Sequence, residues 1–308
     1  MASKLVEIGE RLRAYRMGAG LSADALGQRL NMSRASVYRL ESSGIGKIDT
    51  LSRVAKLLGI PVETLLGVGM EYVPSAIAYF ERLRQIEAQA EHIFVAFGPI
   101  VYLLTSDEYD ASLREALLAQ AHAATRPARH TTNVDDLLGI LAARKAQYRA
   151  RQPAITNVLS LPELVRFGER GLAGDEATPA ALRAHRAMVR DELERIAGML
   201  EQPPIGVQIG ILFDELPTTS FSVIRQARGS FALTSPFRIG PRLNIWRGVG
   251  MISQDAESLR LHSLLARELW SEVVTGQKAA DFIRRRISIE PAPQAGSGFT
   301  AGLQPAAA

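Results

Sequence analysis

The sequence predicts an all-α head of five short helices, followed by an α+β body with a small antiparallel sheet. The chain has 308 residues, and domains of about 100–200 residues suggest two of them. Apolar residues recur every three or four positions before residue 67, as in short amphipathic helices. After residue 204 apolar residues alternate with other types, as in strands.

The composition excludes several classes of protein. Hydrophobic residues make up 47% and charged residues 22% of the chain, as in globular proteins. Cysteine is absent, which excludes disulfides, thiolate metal sites, iron–sulfur clusters and cysteine nucleophiles. The longest apolar run, 93–104, contains Pro99 and falls short of the roughly 20 residues that cross a bilayer. With no signal-peptide pattern at the start, these features predict a cytoplasmic protein without membrane contacts.

The positive charge is concentrated at the start of the chain. Residues 1–66 carry ten basic and six acidic side chains, a surplus of four that equals the net charge of the whole chain. The remainder is therefore neutral. A basic head on a neutral body favours binding of nucleic acid by the head, and with it a location at the nucleoid.

The head, residues 1–67, contains signals for five helices. Ile8 and Leu12 lie four positions apart on one side of the first helix, and Ser22 and Ser33 are suited to cap the second and third. Asn31 between these two tolerates the left-handed backbone of a tight turn. The last two helices are predicted to start with Asp49 as N-cap and with Pro61 in the first turn.

The second to fifth helices resemble a known family. The runs 21–27 and 30–41 resemble the XRE (Cro/phage-repressor) helix-turn-helix family, and so do the later positions 48–51, 54–55, 58–60 and 65–66. Ala23 stands where the family usually has a glutamine, and Asn31 where it usually has a glycine. The resemblance implies a domain that binds double-stranded DNA with its third helix.

Residues at the start of the third helix have the chemistry that base recognition requires. In such domains the exposed N-terminal residues of this helix reach base edges in the major groove. Arg34 can pair with guanine through two hydrogen bonds, and Ala35 can contact a thymine methyl group. Glu41 is either a contact or an intrahelical partner of an arginine. The predicted DNA-binding residues are Ser33, Arg34, Ala35, Ser36, Tyr38 and Arg39.

The body, residues 75–288, mixes helices and strands. A long helix opens at Ser75 with an apolar stripe, which packs either within the body or across the two-fold axis of a dimer. The run 93–104 is a buried strand interrupted at Gly98, or a helix that ends there. From Pro291 onward the chain is uncharged and rich in Pro, Gly and Ala, which predicts a flexible tail over residues 289–308. Further predicted helices span 106–120, 135–151, 161–170, 180–201, 261–273 and 279–287, and further strands 154–160, 205–211, 221–225, 229–233 and 242–252.

The body also resembles the domain of unknown function that follows this type of head in many actinobacterial regulators. The segments that carry the likeness are 98–105 with Tyr109, 142–144, 149–152, 200–211 and 229–233. The resemblance implies a regulatory domain and does not identify an effector.

No catalytic or metal-binding pattern is present, so neither an enzyme nor a cofactor is predicted. None of the five histidines forms an HExxH pair, and the body has only two lysines, Lys145 and Lys278, in helical contexts typical of solvated side chains. Self-cleavage through a Ser–Lys pair is therefore not predicted. His185, on a charged helix face, is predicted to be solvated.

Residues 216–254 contain no acidic side chain, and we call them the acid-free segment. Its arginines either pair with acids from elsewhere, or form with an aromatic side chain a site for a small anionic or planar ligand or an acidic partner protein. A second DNA contact is a third alternative. The candidate effector-binding residues are Arg225, Arg228, Arg238, Arg242, Trp246 and Arg247.

These patterns predict a sequence-specific transcriptional regulator that acts as a homodimer and senses an effector or partner through its body. The alternative is an antitoxin-like protein that binds a partner through the body and autoregulates through the head.

Overall fold

The computed structural model describes residues 2–96, 99–123, 133–172, 178–217, 219–240 and 243–287. The predicted tail, 289–308, lies outside these ranges. Five helices form the head, as predicted. They are α1 (Ala2–Gly18), α2 (Ala23–Leu30), α3 (Arg34–Ser43), α4 (Ile48–Leu58) and α5 (Val62–Leu66).

The head has its own apolar core and a tight turn between α2 and α3. Leu12, Leu26 and Val37 are fully buried within this core. Asn31 adopts the left-handed conformation, with φ 55° and ψ 48°, and ends α2. A Cβ atom on Gly27 would lie 2.6 Å from the Met32 carbonyl oxygen, so only glycine allows the chain to turn back this closely.

The starts of the last two head helices differ from the prediction. Helix α4 begins one residue before Asp49, and Lys47 occupies its N-cap position without a side-chain hydrogen bond. Asp49 instead lies in the first turn, where its charge favours the helix dipole. Pro61 is the N-cap residue of α5 rather than its first helical residue.

The body is built on one seven-stranded mixed sheet, so the predicted small antiparallel sheet is wrong. The strand order is β1-β7-β6-β5-β2-β3-β4. Strands β2, β3 and β4 pair in parallel, and the other neighbours pair antiparallel. The strands are β1 (Met70–Val73), β2 (Ala90–Ala96), β3 (Ala154–Ser160), β4 (Val207–Leu212), β5 (Ser220–Gln226), β6 (Gly229–Ser235) and β7 (Gly250–Ser253).

The parallel part of the sheet follows from the long helical connections between its strands. Parallel neighbours need a crossover of a dozen or more residues, and helices supply it here between β2 and β3 and between β3 and β4. Ile93, Val95 and Ile155 lie in nearly continuous apolar runs, as expected of strands covered on both faces. Strand β1, which was not predicted, extends the sheet to residue 70, before the predicted start of the body.

Helices cover both faces of the sheet. The larger core packs between one face and helices that include α6, and a smaller core packs under α11 on the other face. The body helices are α6 (Ala76–Glu87), α7 (Asp107–Ala123), α8 (Val134–Arg151), α9 (Leu161–Arg170), α10 (Pro179–Glu201), α11 (Ala256–Glu272) and α12 (Gly276–Ile287). A short 3-10 helix, Tyr102–Leu104, follows β2, where the sequence left a strand or a helix open.

Head and body meet at a buried ion triad. The Nε atom of Arg11, on α1, donates to Glu71 Oε1 at 2.7 Å. Arg82, on α6, donates to both Glu71 oxygens at 2.9 Å. Burial alone would raise the pKa of Glu71, but Arg82 and Arg11 outweigh burial and hold the pKa below its usual value.

A second set of polar contacts joins α1 to α6. Arg13 Nε donates to Glu81 Oε1 at 3.1 Å, and Gln85 Nε2 donates to the Glu10 carbonyl oxygen at 3.0 Å. The two helices approach closely at Gly18, where a Cβ atom would lie 2.6 Å from the Ala78 Cβ. The head is therefore docked on the body through α6.

Candidate nucleic-acid interface

Helix α3 presents an exposed surface at its N-terminal end. Ser33 caps the helix, since its side chain accepts a hydrogen bond from the Ser36 amide at 3.1 Å. The opposite side of the helix is anchored by Val37, which is fully buried. Of the six predicted DNA-binding residues, Ser36 is half-buried and the other five are exposed, namely Ser33, Arg34, Ala35, Tyr38 and Arg39.

The polar side chains of this surface contact one another. The guanidinium of Arg34 lies over the Tyr38 ring, 5.4 Å from its centroid, and its Nη2 donates to the Tyr38 hydroxyl at 3.1 Å. Arg39 Nη2 donates to Ser36 Oγ at 3.2 Å. These contacts hold both guanidinium groups along the exposed face of α3. The hydrogen bond to Tyr38 raises the pKa of Arg34 further above the physiological range, in which a guanidinium is charged in any case.

Glu41 is neither a surface contact nor an intrahelical partner. It is buried, and its Oε1 accepts a hydrogen bond from Arg16 Nε of α1 at 2.5 Å. Arg16 Nη1 also donates to the Leu21 carbonyl oxygen at 2.6 Å. This pair fixes the C-terminal half of α3 against α1 and thereby sets the orientation of α3 within the head.

Two basic residues next to α3 were not among the predicted contacts. Lys47 is exposed in the loop that follows α3. Arg53 Nη2 donates to the carbonyl oxygen of Leu30, the last residue of α2, at 2.7 Å. The sequence signal for both was the basic surplus of the head, which does not indicate individual positions.

The predicted effector-binding residues do not come together. Arg225, near the end of β5, and Arg228, in the turn before β6, are exposed at one end of this hairpin. Arg238 follows the other end of β6, and its Nη1 lies 3.5 Å from Glu163 Oε1. Trp246 is half-buried and Arg247 is exposed beyond it. Arg242 lies outside the described residues.

Two side chains that were predicted to be solvated are buried. Lys145 Nζ donates to Asp110 Oδ2 at 2.8 Å and to the Ser106 carbonyl oxygen at 2.7 Å. His185 is buried in α10, and its Nδ1 has no hydrogen-bond partner among the described residues. Desolvation lowers the pKa of both groups.

The described residues contain neither a metal-binding cluster nor a membrane-spanning helix. No group of three or more metal-ligating side chains occurs in them. None of their helices combines the length and apolarity that crossing a bilayer requires.

Comparison with known proteins supports the assignment of the head. A family described as "Helix-turn-helix domain" matches residues 7–66. No curated protein matches the chain. Among solved structures, the chain is similar to one described as "Structure of TrmBL2, an archaeal chromatin protein, shows a novel mode of DNA binding", with 9% identity and a TM-score of 0.33. The alignment covers 73% of this chain and 62% of that one, so the chain spans less than two thirds of that protein. Residues 7–66 are thus a helix-turn-helix domain, which confirms the fold predicted for the head.

Proposed function

We propose that the protein is a sequence-specific transcriptional regulator of the XRE type that reads DNA with α3. The supporting observation is the exposed face of this helix with its capped N-terminal end, along which lie two arginines and four small or hydroxyl-bearing residues. A helix of this size fits the major groove, and its first residues reach base edges. Arg34 is assigned to a guanine and Arg39 to a phosphate, because Arg34 lies at the start of the helix and Arg39 beyond its middle.

The first experiment identifies the DNA and then tests these two roles. Sequencing of the DNA bound in the organism's own cells supplies the cognate site. We expect Arg34→Ala to weaken cognate binding by about 1–3 kcal/mol and to relax base preference at one position per half-site. Fluorescence anisotropy with cognate and random duplexes in one salt buffer measures both effects.

Arg39→Ala is the matched control on the same helix. As a phosphate contact it should weaken binding to cognate and random duplexes equally and reduce the salt dependence. If Arg34→Ala behaves in the same way, Arg34 contacts phosphate and the assignment of base recognition to it is wrong.

We also propose that the protein acts as a homodimer, since two heads on one DNA face read paired half-sites about 34 Å apart. Helix α6, whose stripe was a candidate interface, is buried within the chain and not available for this purpose. Leu261 and Leu264 of α11 are the better candidates, because 50% and 43% of their surfaces are exposed. Exposed apolar side chains on one helix face favour a partner surface.

Sedimentation equilibrium of the full chain tests the dimer. We expect a dimer at micromolar concentration and a shift toward monomer in the variant Leu261→Asp/Leu264→Asp. Arg260→Ala, at an exposed neighbouring position, should leave the mass unchanged. A wild-type chain that sediments as a monomer would rule out the proposal.

A further inference from the structure

A cavity in the body lies between α6, the 3-10 helix and strands β5 and β6. It opens to solvent, and the space inside it that the centres of water-sized molecules can reach is about 40 Å³, which suits a small flat molecule rather than a bulky one. Aromatic rings supply much of the lining, namely those of Tyr79, Phe80, Tyr102, Tyr109 and Phe237.

Two buried polar side chains, from α8 and β5, line this cavity. Arg144 is 97% buried by side chain, since only 3% is exposed, and it lines the cavity. Its Nε and Nη2 donate to the two oxygens of Glu87 at 2.8 Å. Its remaining nitrogen, Nη1, has no hydrogen-bond acceptor among the described residues. Ser222, buried on β5, lines the same space with a hydroxyl that bonds to none of the described residues.

The charges of the lining select the chemistry of a ligand. Arg144 and Arg238 line the cavity, and no aspartate or glutamate does so. The free donors are a guanidinium nitrogen and a hydroxyl, which suit a carboxylate or another anionic acceptor. The surrounding rings suit a flat apolar body that stacks on them. We propose that this cavity binds a planar aromatic acid, whose carboxylate accepts hydrogen bonds from Arg144 and Ser222.

Helix α6 connects this cavity with the head. Tyr79, Phe80 and Leu83 line the cavity. Arg82 and Glu81, on the same three turns of helix, hold Glu71 and Arg13 at the junction with α1. A ligand that shifts the cavity-lining residues of α6 also shifts Arg82 and Glu81, because all of them belong to one rigid helix. The occupied cavity therefore changes how the head is held, and the regulatory meaning of this change rests on the proposed function.

A fluorescent probe tests the site without any DNA. The probe is 1-anilinonaphthalene-8-sulfonate, which joins an anionic group to flat aromatic rings. We expect saturable binding with one site per chain, and displacement by naphthalene-2-carboxylate. The neutral naphthalene-2-methanol, with the same rings, should compete about tenfold less well, because it brings no negative charge to the guanidinium of Arg144.

Variants on one strand locate the bound probe. Ser222→Met fills the cavity and should abolish saturable binding, whereas Val223→Met, on the opposite face of the same strand, should leave it unchanged. Ser222→Ala adds no volume and should weaken the carboxylate about tenfold and the alcohol by less, because a hydrogen bond to a charged acceptor is the stronger one. Near-ultraviolet circular dichroism checks that each variant is folded. If Ser222→Met does not fold, the result with Ser222→Ala tests the proposal instead. Absence of saturable binding, or equal effects of Ser222→Met and Val223→Met, would overturn the proposal.

Hydrogen exchange reports on the link to the head. Naphthalene-2-carboxylate should slow amide exchange in residues 71–87 and in α1 at least as strongly as in β5. Protection confined to the cavity would overturn the link. These outcomes are independent of Arg34→Ala, so a protein that binds the acid but shows no base preference would contradict the proposed function alone.

Discussion

Replacement of Glu71 by glutamine tests the joint between head and body. The variant keeps the size of the side chain but removes the carboxylate that Arg11 and Arg82 share, and these two side chains are 2% and 3% exposed. Three hydrogen bonds of 2.7–2.9 Å are affected. Removing one partner of a buried ion pair typically costs about 3–5 kcal/mol, because the remaining charge is left buried. Since glutamine retains one acceptor, we expect about 3 kcal/mol.

Urea unfolding followed by two signals measures this loss. Both tryptophans, Trp246 and Trp270, lie in the body, so their fluorescence reports on the body alone. Far-ultraviolet circular dichroism reports on all helices. In the wild type the two transitions should coincide. In Glu71→Gln the dichroism should change at lower urea than the fluorescence, because the head is released first.

The matched control is Glu257→Gln, which breaks an exposed pair with Arg260. Exposed pairs contribute about 0–1 kcal/mol, so this midpoint should barely move. A second check is Glu71→Gln combined with Arg11→Met, which should lose less stability than the two single changes together. If Glu71→Gln shifts the midpoint no more than Glu257→Gln does, the triad does not hold the head in place.

Two further predictions concern the same region. Gly67→Ala should destabilise the protein by more than Gly20→Ala, which costs roughly 1–2 kcal/mol. Both glycines have a φ of +67°, so both substitutions strain the backbone. A Cβ atom on Gly67 would also lie 2.3 Å from the Arg11 Cζ, whereas a Cβ atom on Gly20 would have no neighbour within 4 Å. Equal losses in thermal unfolding would show that Arg11 moves aside freely. Stability should also decline as the pH falls below about 4.3, because arginines hold the pKa values of Glu71 and Glu81 below their usual value against the opposing effect of burial. The two carboxylates stabilise the fold fully above the pKa that glutamate has in the unfolded chain, and this stabilisation is lost as the pH falls through their lower pKa in the folded protein. Glu71→Gln should therefore flatten the pH dependence of the free energy of unfolding, measured by urea titrations from pH 6 to about pH 3.

Local signals predicted the head well. Ser22 and Ser33 cap α2 and α3 as the sequence indicates, and Asn31 makes the left-handed turn. Such features depend on residues within one turn of each other. Glu41 was harder to place because its partner, Arg16, belongs to another helix.

Most strands were predicted near their positions but not in their pairing, and the predicted strand 242–252 is represented in the sheet only from Gly250 onward. An apolar run such as that of β2 is compatible with parallel or antiparallel neighbours, and the choice depends on the helices that follow it. Strand β1 was missed because four residues between a glycine pair and a proline carry little periodicity.

Buried charges and the cavity could not be predicted from patterns. Lys145 and Arg144 occupy helix positions that look solvated until their partners, Asp110 and Glu87, are placed beside them. The cavity lining spans residues 79–240. Its members share no spacing along the chain.

The shared packing of two side chains has an evolutionary consequence. Leu58 and Ile60, in and just after α4, contact both the head core and the main core of the body. Such residues disfavour the exchange of the head between unrelated bodies. A recombination event at residues 67–69 would leave Leu58 and Ile60 without their neighbours and Arg11 without Glu71. A crossover after α6 would break a second set of contacts, because α6 is buried in the body and Glu87 pairs with Arg144, so head and body are expected to be inherited together.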